Sequence, residues 1–274
     1  MCHRYNFHVL VIFIYICDKD FMKHLPNILT LANLFCGCIA IAFILNSQPF
    51  LTDGPDAQYW ITGTPQAYYG SLFIFIAAIF DLFDGMAARW LGVHSPIGKD
   101  LDSLADVVSF GVAPSMILFK MLWAAYISKP DAIDVSMIGL APAFLFACFG
   151  ALRLARFNNA TPTTAYFTGV PIPAAGLVVA SFPLINLYNP LGIGARMQNE
   201  WIIYVIIAVL CWLMLSRIKL FTLKFSSFSV NKYWAQLTWI LVSAVSVPFL
   251  KTLSIPFSFL LYITLSFAYK PSEQ

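Results

Sequence analysis

Long apolar runs dominate this sequence and limit the folds that it can adopt. Several runs extend for roughly 17 to 25 residues, the length that an α-helix needs to cross the hydrocarbon core of a bilayer. Hydrophobic residues make up 60% of the chain and the mean hydropathy is +0.78, which excludes a soluble globular fold. We therefore predict an all-α, polytopic transmembrane helical bundle of about eight helices.

The apolar runs and their polar flanks divide the chain into a short extension and one membrane domain. No long linker, charge block or internal repeat interrupts residues 22–274, which we interpret as a single membrane domain. The predicted helices cover residues 25–46, 68–90, 101–126, 136–155, 169–187, 200–217, 234–250 and 253–269.

Residues 1–21 contain a shorter apolar run that does not reach the length of a membrane span. No small-residue cleavage site follows the run and its charged flank is thin, so a signal peptide is not indicated. We predict an N-terminal extension that is interfacial or disordered. The sequence from Met22 is a more natural start, which leaves the start of translation open between Met1 and Met22.

Basic residues are distributed unevenly between the loops that connect the predicted helices. When the loops are assigned alternately to two sides, twelve Lys and Arg residues fall on one side, and only Lys129, Arg196 and Lys251 fall on the other. Cytoplasmic loops are enriched in Lys and Arg. We therefore expect an integral protein of a bacterial-type cytoplasmic membrane, with both termini in the cytoplasm.

The stretch Phe80–Phe110 concentrates aspartates in a chain of which only 11% is charged. Asp81 and Asp84 are three residues apart on one predicted helix, and Asp102 and Asp106 are four apart on the next. Residues three or four apart share a helix face, so two adjacent antiparallel helices would direct all four carboxylates into one cleft. The charge asymmetry places this cleft near the cytoplasmic side.

Four carboxylates inside a membrane domain require compensation by cations. Each carboxylate at mid-membrane costs about 2.5 to 3.5 kcal/mol on insertion scales, and neighbouring carboxylates repel one another. Ligand sets made only of oxygen suit hard divalent ions, and Mg²⁺ is commonly held by carboxylates together with substrate phosphates. We therefore predict that Mg²⁺ or Mn²⁺ binds here; the alternative is a helix-end cluster solvated at the membrane surface.

Eight residues of this stretch form a pattern of fixed residue types at fixed spacing. They are Asp81, Asp84, Gly85, Ala88, Arg89, Gly98, Asp102 and Asp106. The pattern resembles the signature of the CDP-alcohol phosphatidyltransferase family. The resemblance implies an integral membrane enzyme that binds a CDP-linked lipid through divalent metal, transfers its phosphatidyl group to an alcohol and releases CMP. The signature covers residues 81–106 only.

The same resemblance implies roles for the four aspartates. Asp81, Asp84 and Asp102 would hold one or two divalent ions against the pyrophosphate of CDP-diacylglycerol. Asp106 is the candidate general base for the acceptor hydroxyl and, alternatively, a ligand of a second metal ion. The sequence does not separate these two roles.

Small and polar residues beside the aspartates are candidates for binding the lipid substrate. The glycines and the alanine would leave room for cytidine and ribose, and the arginine would meet a phosphate or pair with an aspartate. On the first predicted helix, Asn27, Thr30 and Asn33 repeat every third residue on an apolar span; they would contact the nucleotide or form helix–helix hydrogen bonds. The candidate lipid-substrate residues are Gly85, Ala88, Arg89, Gly98, Asn27 and Thr30.

Arg153 and Arg156 lie three residues apart near the cytoplasmic end of the fourth predicted helix. They are interpreted either as snorkelling membrane anchors or as a paired guanidinium site for a carboxylate or phosphate. The segments GALRLARFN, TGVPIPAAG and SRIKLFTLKF resemble the branch of the family that uses serine as the acceptor. The resemblance therefore implies L-serine as the acceptor alcohol and these two arginines as acceptor-binding residues.

Other functions stay open from the sequence alone. Within the family, glycerol 3-phosphate, inositol phosphate and choline-type alcohols are alternative acceptors. A membrane prenyltransferase also uses aspartates, Mg²⁺ and pyrophosphate but arranges its motifs differently, and a cation-coupled transporter would require broken helices in matching halves, which the sequence lacks. The predicted partners are CDP-diacylglycerol, L-serine and membrane lipid, with no nucleic acid, and a homodimer is left open.

Overall fold

The structure, a computed structural model, confirms a helical bundle of membrane type. It describes residues 3–46, 50–53, 58–61, 65–92, 96–129, 135–159, 166–221 and 234–269. Five helical stretches in this part of the chain are long and apolar enough to cross a membrane: His24–Asn46, Gln66–Leu91, Ile97–Ile127, Met137–Asn159 and Trp234–Ala268. Two shorter apolar helical stretches, Ile172–Tyr188 and Glu200–Leu215, are present in addition to these five. The number of membrane crossings stays a prediction.

Each predicted helical segment falls on a helical stretch of the structure, with boundaries that differ by a few residues. The elements of the first half are α1 (His3–Asn46), β1 (Phe50–Asp53), β2 (Gln58–Ile61), α2 (Pro65–Leu91), α3 (Pro96–Asp106), a π-helical segment (Val107–Val112) and α4 (Ala113–Ile127). Those of the second half are α5 (Met137–Leu140), a 3₁₀ turn (Ala141–Phe144), α6 (Leu145–Asn159), β3 (Tyr166–Thr168), α7 (Ile172–Ala180), α8 (Phe182–Tyr188), a 3₁₀ turn (Pro190–Gly192), α9 (Ile193–Arg196), α10 (Glu200–Leu215), β4 (Lys219–Phe221), α11 (Trp234–Leu250), a 3₁₀ turn (Lys251–Leu253) and α12 (Ser254–Ala268).

Helix α1 begins far earlier than the predicted first helix. The backbone is helical from His3. Pro26, the second residue of the predicted helix 25–46, therefore lies inside α1 and not in its first turn. Proline removes a single hydrogen bond to the preceding turn, and apolar sequence on both sides continues the helix past it. The prediction for residues 1–21, an extension that is interfacial or disordered, stays a prediction.

Helix α3 passes into a π-helical segment, Val107–Val112, directly after Asp106. Ser109, Phe110 and Gly111 of this segment are buried between α1, α6 and α7. The Ser109 hydroxyl donates a hydrogen bond to the Asn33 carbonyl oxygen of α1, at 3.0 Å. On the other side, a Cβ on Gly176 of α7 would lie 2.8 Å from the Phe110 carbonyl oxygen, so only glycine allows this approach. The π-helical segment is therefore held by close packing on both sides.

The predicted helix 169–187 begins later and is divided in two. Pro171 is extended (φ −62°, ψ 142°) and caps α7, while Ser181 separates α7 from α8. Gly169 has a φ of +71°, and its N–H donates to the Ile218 carbonyl oxygen at 3.0 Å. Together with the antiparallel pairing of β3 with β4, this bond ties the start of α7 to the segment that follows α10.

Helices α11 and α12 form a helical hairpin that ends the described part of the chain. The turn between them contains Lys251 with a φ of +48°. Trp239 donates its indole N–H to the Ser258 carbonyl oxygen at 2.9 Å, and the Ser243 and Ser258 hydroxyl oxygens lie 2.8 Å apart. These bonds fix α11 against α12, which in turn packs on α7 and β4.

The apolar core lies among α1, α4, α6, α7 and α10. Its largest fully buried side chains include Phe110, Phe146, Ile117, Leu118 and Ile172. Three of the twelve basic residues counted above for the topology lie outside the described residues: Lys224, Lys232 and Lys270.

Candidate active site

Three carboxylates from α2 and α3, which both pack against α1, converge on one point. One carboxylate oxygen from each of Asp81, Asp102 and Asp106 lies within 4.8 Å of the other two. The Asp81 and Asp106 carboxyl groups also contact each other directly. Asp106 is only 7% exposed, whereas Asp81 and Asp102 are half-buried. The structure thus brings three of the four predicted aspartates into one group, called here the aspartate cluster.

Asp84 lies beside this cluster and is anchored to helix α1. The Thr30 hydroxyl oxygen is 2.7 Å from Oδ2 of Asp84 and 3.0 Å from the Pro26 carbonyl oxygen. A hydroxyl group has one proton, and a carboxylate is the stronger acceptor, so we assign the donated bond to Asp84. Asp84 is only 6% exposed and interacts electrostatically with Asp81 and Asp102. Its predicted role as a metal ligand stays a prediction.

The aspartate cluster has the donor chemistry of a divalent-metal site. All of its donors are carboxylate oxygens, which suit Mg²⁺ and Mn²⁺. Oδ1 of Asp106 is buried and has no hydrogen-bond partner among the described residues. A buried carboxylate oxygen without a partner is costly, and a bound cation relieves that cost. The residues present therefore fit a hard divalent ion.

The predicted lipid-substrate residues lie on the helices that carry the aspartates. On α2, Gly85 and Arg89 are exposed and Ala88 is half-buried. A Cβ on Gly85 would have no heavy atom within 4 Å, so the space beside it is open to a ligand. Gly98 is half-buried near the start of α3, and Asn27 is half-buried on α1, three residues before Thr30. Their roles in binding substrate stay predictions.

A basic pocket of about 440 Å³ adjoins the end of α6. Four of its lining residues are cationic, and none is acidic: Arg153, Arg156, Arg217 and Lys219. The two predicted arginines of α6 thus meet two further cations from the segment after α10. A pocket of this charge suits a small anionic group such as a carboxylate or a phosphate.

Arg153 connects the basic pocket to the aspartate cluster. It is only 7% exposed, and it interacts electrostatically with Asp106 of the cluster and with Tyr262 of α12. Its guanidinium group lies 5.0 Å from the centre of the Phe157 ring. The buried Nε of Arg153 has no hydrogen-bond partner among the described residues. This burial favours a paired guanidinium site over a snorkelling anchor for Arg153.

Hydrogen bonds between α3 and α6 fix the distance between the aspartates and the arginines. Asn158 of α6 donates through Nδ2 to the Ser103 hydroxyl oxygen of α3 at 2.7 Å. Lys99 of α3 donates through Nζ to the Asn158 carbonyl oxygen at 3.1 Å. Ser103 is adjacent in sequence to Asp102, so this contact lies directly beside the aspartate cluster.

Sequence reasoning gave no site role to Arg217 and Lys219, which line the basic pocket, and it left open whether Asn33 contacts the nucleotide or another helix. Arg217 and Lys219 were part of a recognised basic segment, but nothing in their spacing connected them to α6. Asn33 was noted as a polar residue on the first helix; it is fully buried, and neither atom of its amide group has a hydrogen-bond partner in the described part of the chain. Its repeat with Thr30 at every third residue was the available signal.

The fold and the site together define a polytopic membrane protein with a carboxylate-rich, metal-type centre beside a basic pocket. The family model for CDP-alcohol phosphatidyltransferases matches residues 23–213, which include the aspartate cluster, Asp84 and both arginines of α6. The chain therefore belongs to the CDP-alcohol phosphatidyltransferase family, as the aspartate pattern indicated.

Curated relatives share a name that specifies serine. The chain is 36% identical over 172 residues to the CDP-diacylglycerol–serine O-phosphatidyltransferase of Bacillus subtilis, covering 62% of this chain and 80% of that protein. It is 37% identical over 167 residues to the protein of the same name from Helicobacter pylori, covering 60% and 59%. A further protein of that name, from Methanocaldococcus jannaschii, is 41% identical over 116 residues, covering 42% and 51%. The chain thus spans most of the first relative and about half of the others.

Proposed function

We propose that this membrane enzyme transfers the phosphatidyl group of CDP-diacylglycerol to L-serine, giving phosphatidylserine and CMP. The observation that carries the proposal is the position of Arg153, which interacts with Asp106 of the aspartate cluster and also lines the basic pocket. One side of the site is suited to a metal-bound pyrophosphate, and the other to the carboxylate of an amino acid. The shared name of the curated relatives supports the same acceptor.

In the proposed reaction, the serine hydroxyl oxygen attacks the phosphorus atom of the phosphatidyl group. The bond from that phosphorus to the bridging oxygen of CMP breaks, and CMP leaves with the electron pair. The proton of the serine hydroxyl passes to the carboxylate of Asp106, the buried member of the aspartate cluster. Most of the remaining work is positioning and charge neutralisation, as in other phosphoryl transfers.

We assign the metal to Asp81 and Asp102, with Asp84 and Asp106 as further candidate ligands. When bound, Mg²⁺ or Mn²⁺ would neutralise charge on the pyrophosphate of CDP-diacylglycerol. Thr30 holds the Asp84 carboxylate in place through a hydrogen bond to its Oδ2. Gly85 leaves open space in which the nucleotide can approach the backbone of α2.

We assign the serine carboxylate to the basic pocket. Guanidinium groups match the planar geometry of a carboxylate with two parallel hydrogen bonds, and Arg153 and Arg156 both line the pocket. A phosphate-bearing acceptor such as glycerol 3-phosphate or inositol phosphate would suit the same cations. A choline-type acceptor is disfavoured, because four lining cations would repel its quaternary ammonium group.

We also infer that the site and both termini face the cytoplasm. The proposal is supported by the excess of Lys and Arg on the side that carries the aspartates. It agrees with the chemistry, since serine and CMP are water-soluble and the lipid stays in the bilayer. A homodimer stays a prediction without a structural argument.

The deciding experiment uses the purified protein with CDP-diacylglycerol, Mg²⁺ or Mn²⁺, and a panel of labelled alcohols. We expect labelled lipid from serine, with one CMP released for each lipid formed, and little product from glycerol 3-phosphate, inositol phosphate or choline. Preferential labelling by glycerol 3-phosphate would refute the serine assignment. Absence of CMP release with every acceptor would refute phosphatidyl transfer itself, leaving a prenyltransferase or transporter to be tested.

A further inference from the structure

We propose that an apolar cavity between α7 and the α11–α12 hairpin holds one acyl chain of the lipid substrate. The cavity has a volume of about 330 Å³ and is lined by residues of α7, β4, α11 and α12. This inference rests on the proposed function, since it concerns the lipid that the enzyme consumes.

The lining of the cavity offers an occupant apolar contacts and no free polar group. Three lining residues carry polar side-chain groups, and each is already engaged. The Tyr262 hydroxyl donates to the Phe221 carbonyl oxygen at 2.9 Å, the Trp239 indole N–H donates to the Ser258 carbonyl oxygen at 2.9 Å, and the Ser258 hydroxyl pairs with that of Ser243 at 2.8 Å. A polar ligand would lose its hydrogen bonds to water and gain none here, so the cavity selects a hydrocarbon.

The cavity has the shape of a slot along two helices. Its lining residues on α7 run from Pro171, just before the helix, to Val178, and those on α12 run from Ile255 to Tyr262. Each set covers about 10 Å of helix, at 1.5 Å of rise per residue. Cavities of several hundred cubic ångströms that are lined by apolar side chains are typical of small-molecule sites. An extended hydrocarbon chain fits such a slot.

The slot borders the basic pocket, and Arg153 of that pocket interacts with Asp106 of the aspartate cluster, where the lipid phosphate would bind. Tyr262 lines the cavity and interacts electrostatically with Arg153 of the basic pocket. Phe221 also lines the cavity, and its ring stacks edge-on against Tyr262 with ring centres 4.8 Å apart. Phe221 lies two residues after Lys219, which lines the basic pocket. A diacyl lipid with its phosphate at the aspartate cluster therefore has an apolar site within reach for one chain.

The same arrangement gives the C-terminal hairpin a function. In the sequence, the last helix is an apolar segment without a motif, and the matched family region ends at residue 213, before α11 begins. In the structure, α11 and α12 contribute Trp239, Phe259 and Tyr262 to the slot. We infer that the hairpin, outside the matched family region, completes the binding site for the lipid.

A photoreactive substrate tests the proposal on the unmodified protein. CDP-diacylglycerol with a diazirine on one acyl chain is bound in nanodiscs and irradiated, and the labelled residues are mapped by mass spectrometry. We expect labelling of slot residues such as Leu177 and Phe259, reduced by excess unlabelled CDP-diacylglycerol. Labelling spread over outward-facing residues such as Leu260, with none in the slot, would overturn the proposal. Labelling of the slot that unlabelled substrate does not reduce would also overturn it, because the occupant would then be bulk lipid.

Filling the slot provides the kinetic test. Ala174→Phe places a ring in the slot and should raise the KM for long-chain CDP-diacylglycerol by about tenfold or more, because buried methylene groups contribute additively to binding. The KM for serine and for a short-chain CDP-diacylglycerol should change little. Leu260→Phe, on the exposed face of α12, is the matched control. Equal effects on long-chain and short-chain substrates would overturn the proposal.

The two proposals fail in distinguishable ways. If the wild-type protein releases no CMP with serine but the slot is labelled competitively, the acceptor assignment fails and the acyl-chain site stands. If CMP is released with serine and the slot is not labelled, the acyl-chain site fails alone. Photolabelling needs no variant, so a misfolded Ala174→Phe protein does not remove the test.

Discussion

Thr30 of α1 and Asp84 of α2 are joined by a hydrogen bond of 2.7 Å. It holds a buried carboxylate in a fixed orientation beside three others. Hydrogen bonds to charged groups contribute about 1.5 to 3 kcal/mol, more than neutral ones. The position of Asp84 therefore depends on a residue 54 positions away in sequence.

Thr30→Val removes this hydrogen bond while keeping the shape of the side chain. We expect kcat/KM for CDP-diacylglycerol to fall by roughly tenfold to a hundredfold, the kinetic equivalent of one bond to a charged group. Thr30→Ser keeps the hydroxyl and should retain most of the activity. Steady-state kinetics of both variants are the measurement, and wild-type values for Thr30→Val would show that the bond does not matter for catalysis.

Removal of divalent metal should abolish the reaction. We expect no turnover in excess EDTA and recovery when Mg²⁺ or Mn²⁺ is added, because the aspartate cluster consists of carboxylates that a hard ion compensates. Asp81→Asn and Asp102→Asn should not recover at any metal concentration tested. Asp100→Asn is the matched control: it changes an exposed aspartate of α3, the helix that carries Asp102, and should recover as the wild type does. Full turnover in EDTA would contradict a metal requirement.

Asp106→Asn separates the base from the ligand. If Asp106 accepts the serine proton, this isosteric change should lower kcat by about two to four orders of magnitude and leave the affinity for CDP-diacylglycerol almost unchanged. If Asp106 is chiefly a metal ligand, lipid affinity and the metal concentration needed for half-maximal rate should change together. Lipid binding measured without serine, alongside single-turnover rates, distinguishes the two outcomes.

Arg156→Lys tests the acceptor pocket. Lysine keeps the positive charge but loses the two parallel hydrogen bonds to a carboxylate, so the KM for serine should rise far more than the KM for the lipid. Arg217→Gln, at the facing side of the same pocket, should act in the same direction. Arg196→Gln removes an exposed arginine elsewhere on the chain and should change neither constant. An unaltered serine constant in Arg156→Lys would remove this residue from the acceptor site.

The proposed orientation in the membrane is tested by cysteine labelling of intact cells. In a cysteine-free background, Asn159→Cys at the end of α6 should be protected from an impermeant thiol reagent, whereas Arg196→Cys should be labelled. Both residues are exposed in the structure, so accessibility differs only through the membrane side. The reverse pattern would contradict a cytoplasmic site.

The aspartate positions were predictable because their spacing is a local property. Residues three or four apart share a helix face whatever the rest of the fold does, so the convergence of Asp81, Asp102 and Asp106 required only that α2 and α3 direct these faces to the same place. The membrane class was predictable for the same reason, since each apolar run specifies its own helix.

Other features depend on contacts between distant segments, and the sequence did not predict them. Arg217 and Lys219 reach the arginines of α6 only because β4 pairs with β3 and places the segment after α10 beside α6. The division of α7 from α8 at Ser181 and the start of α1 at His3 were also not predicted. The apolar slot is a space between helices, and no pattern within one helix indicates it.

The π-helical segment after Asp106 lies between α3 and α4 and changes the direction in which their side chains point relative to each other. A π turn holds one residue more than an α turn, and one residue corresponds to about 100° of rotation around a helix. Asp102 and Asp106, before the π-helical segment, can therefore face the aspartate cluster. Ile117 and Leu118, after it, can face the core. Substitutions that repack α4 can therefore accumulate without turning the aspartates away from their substrate.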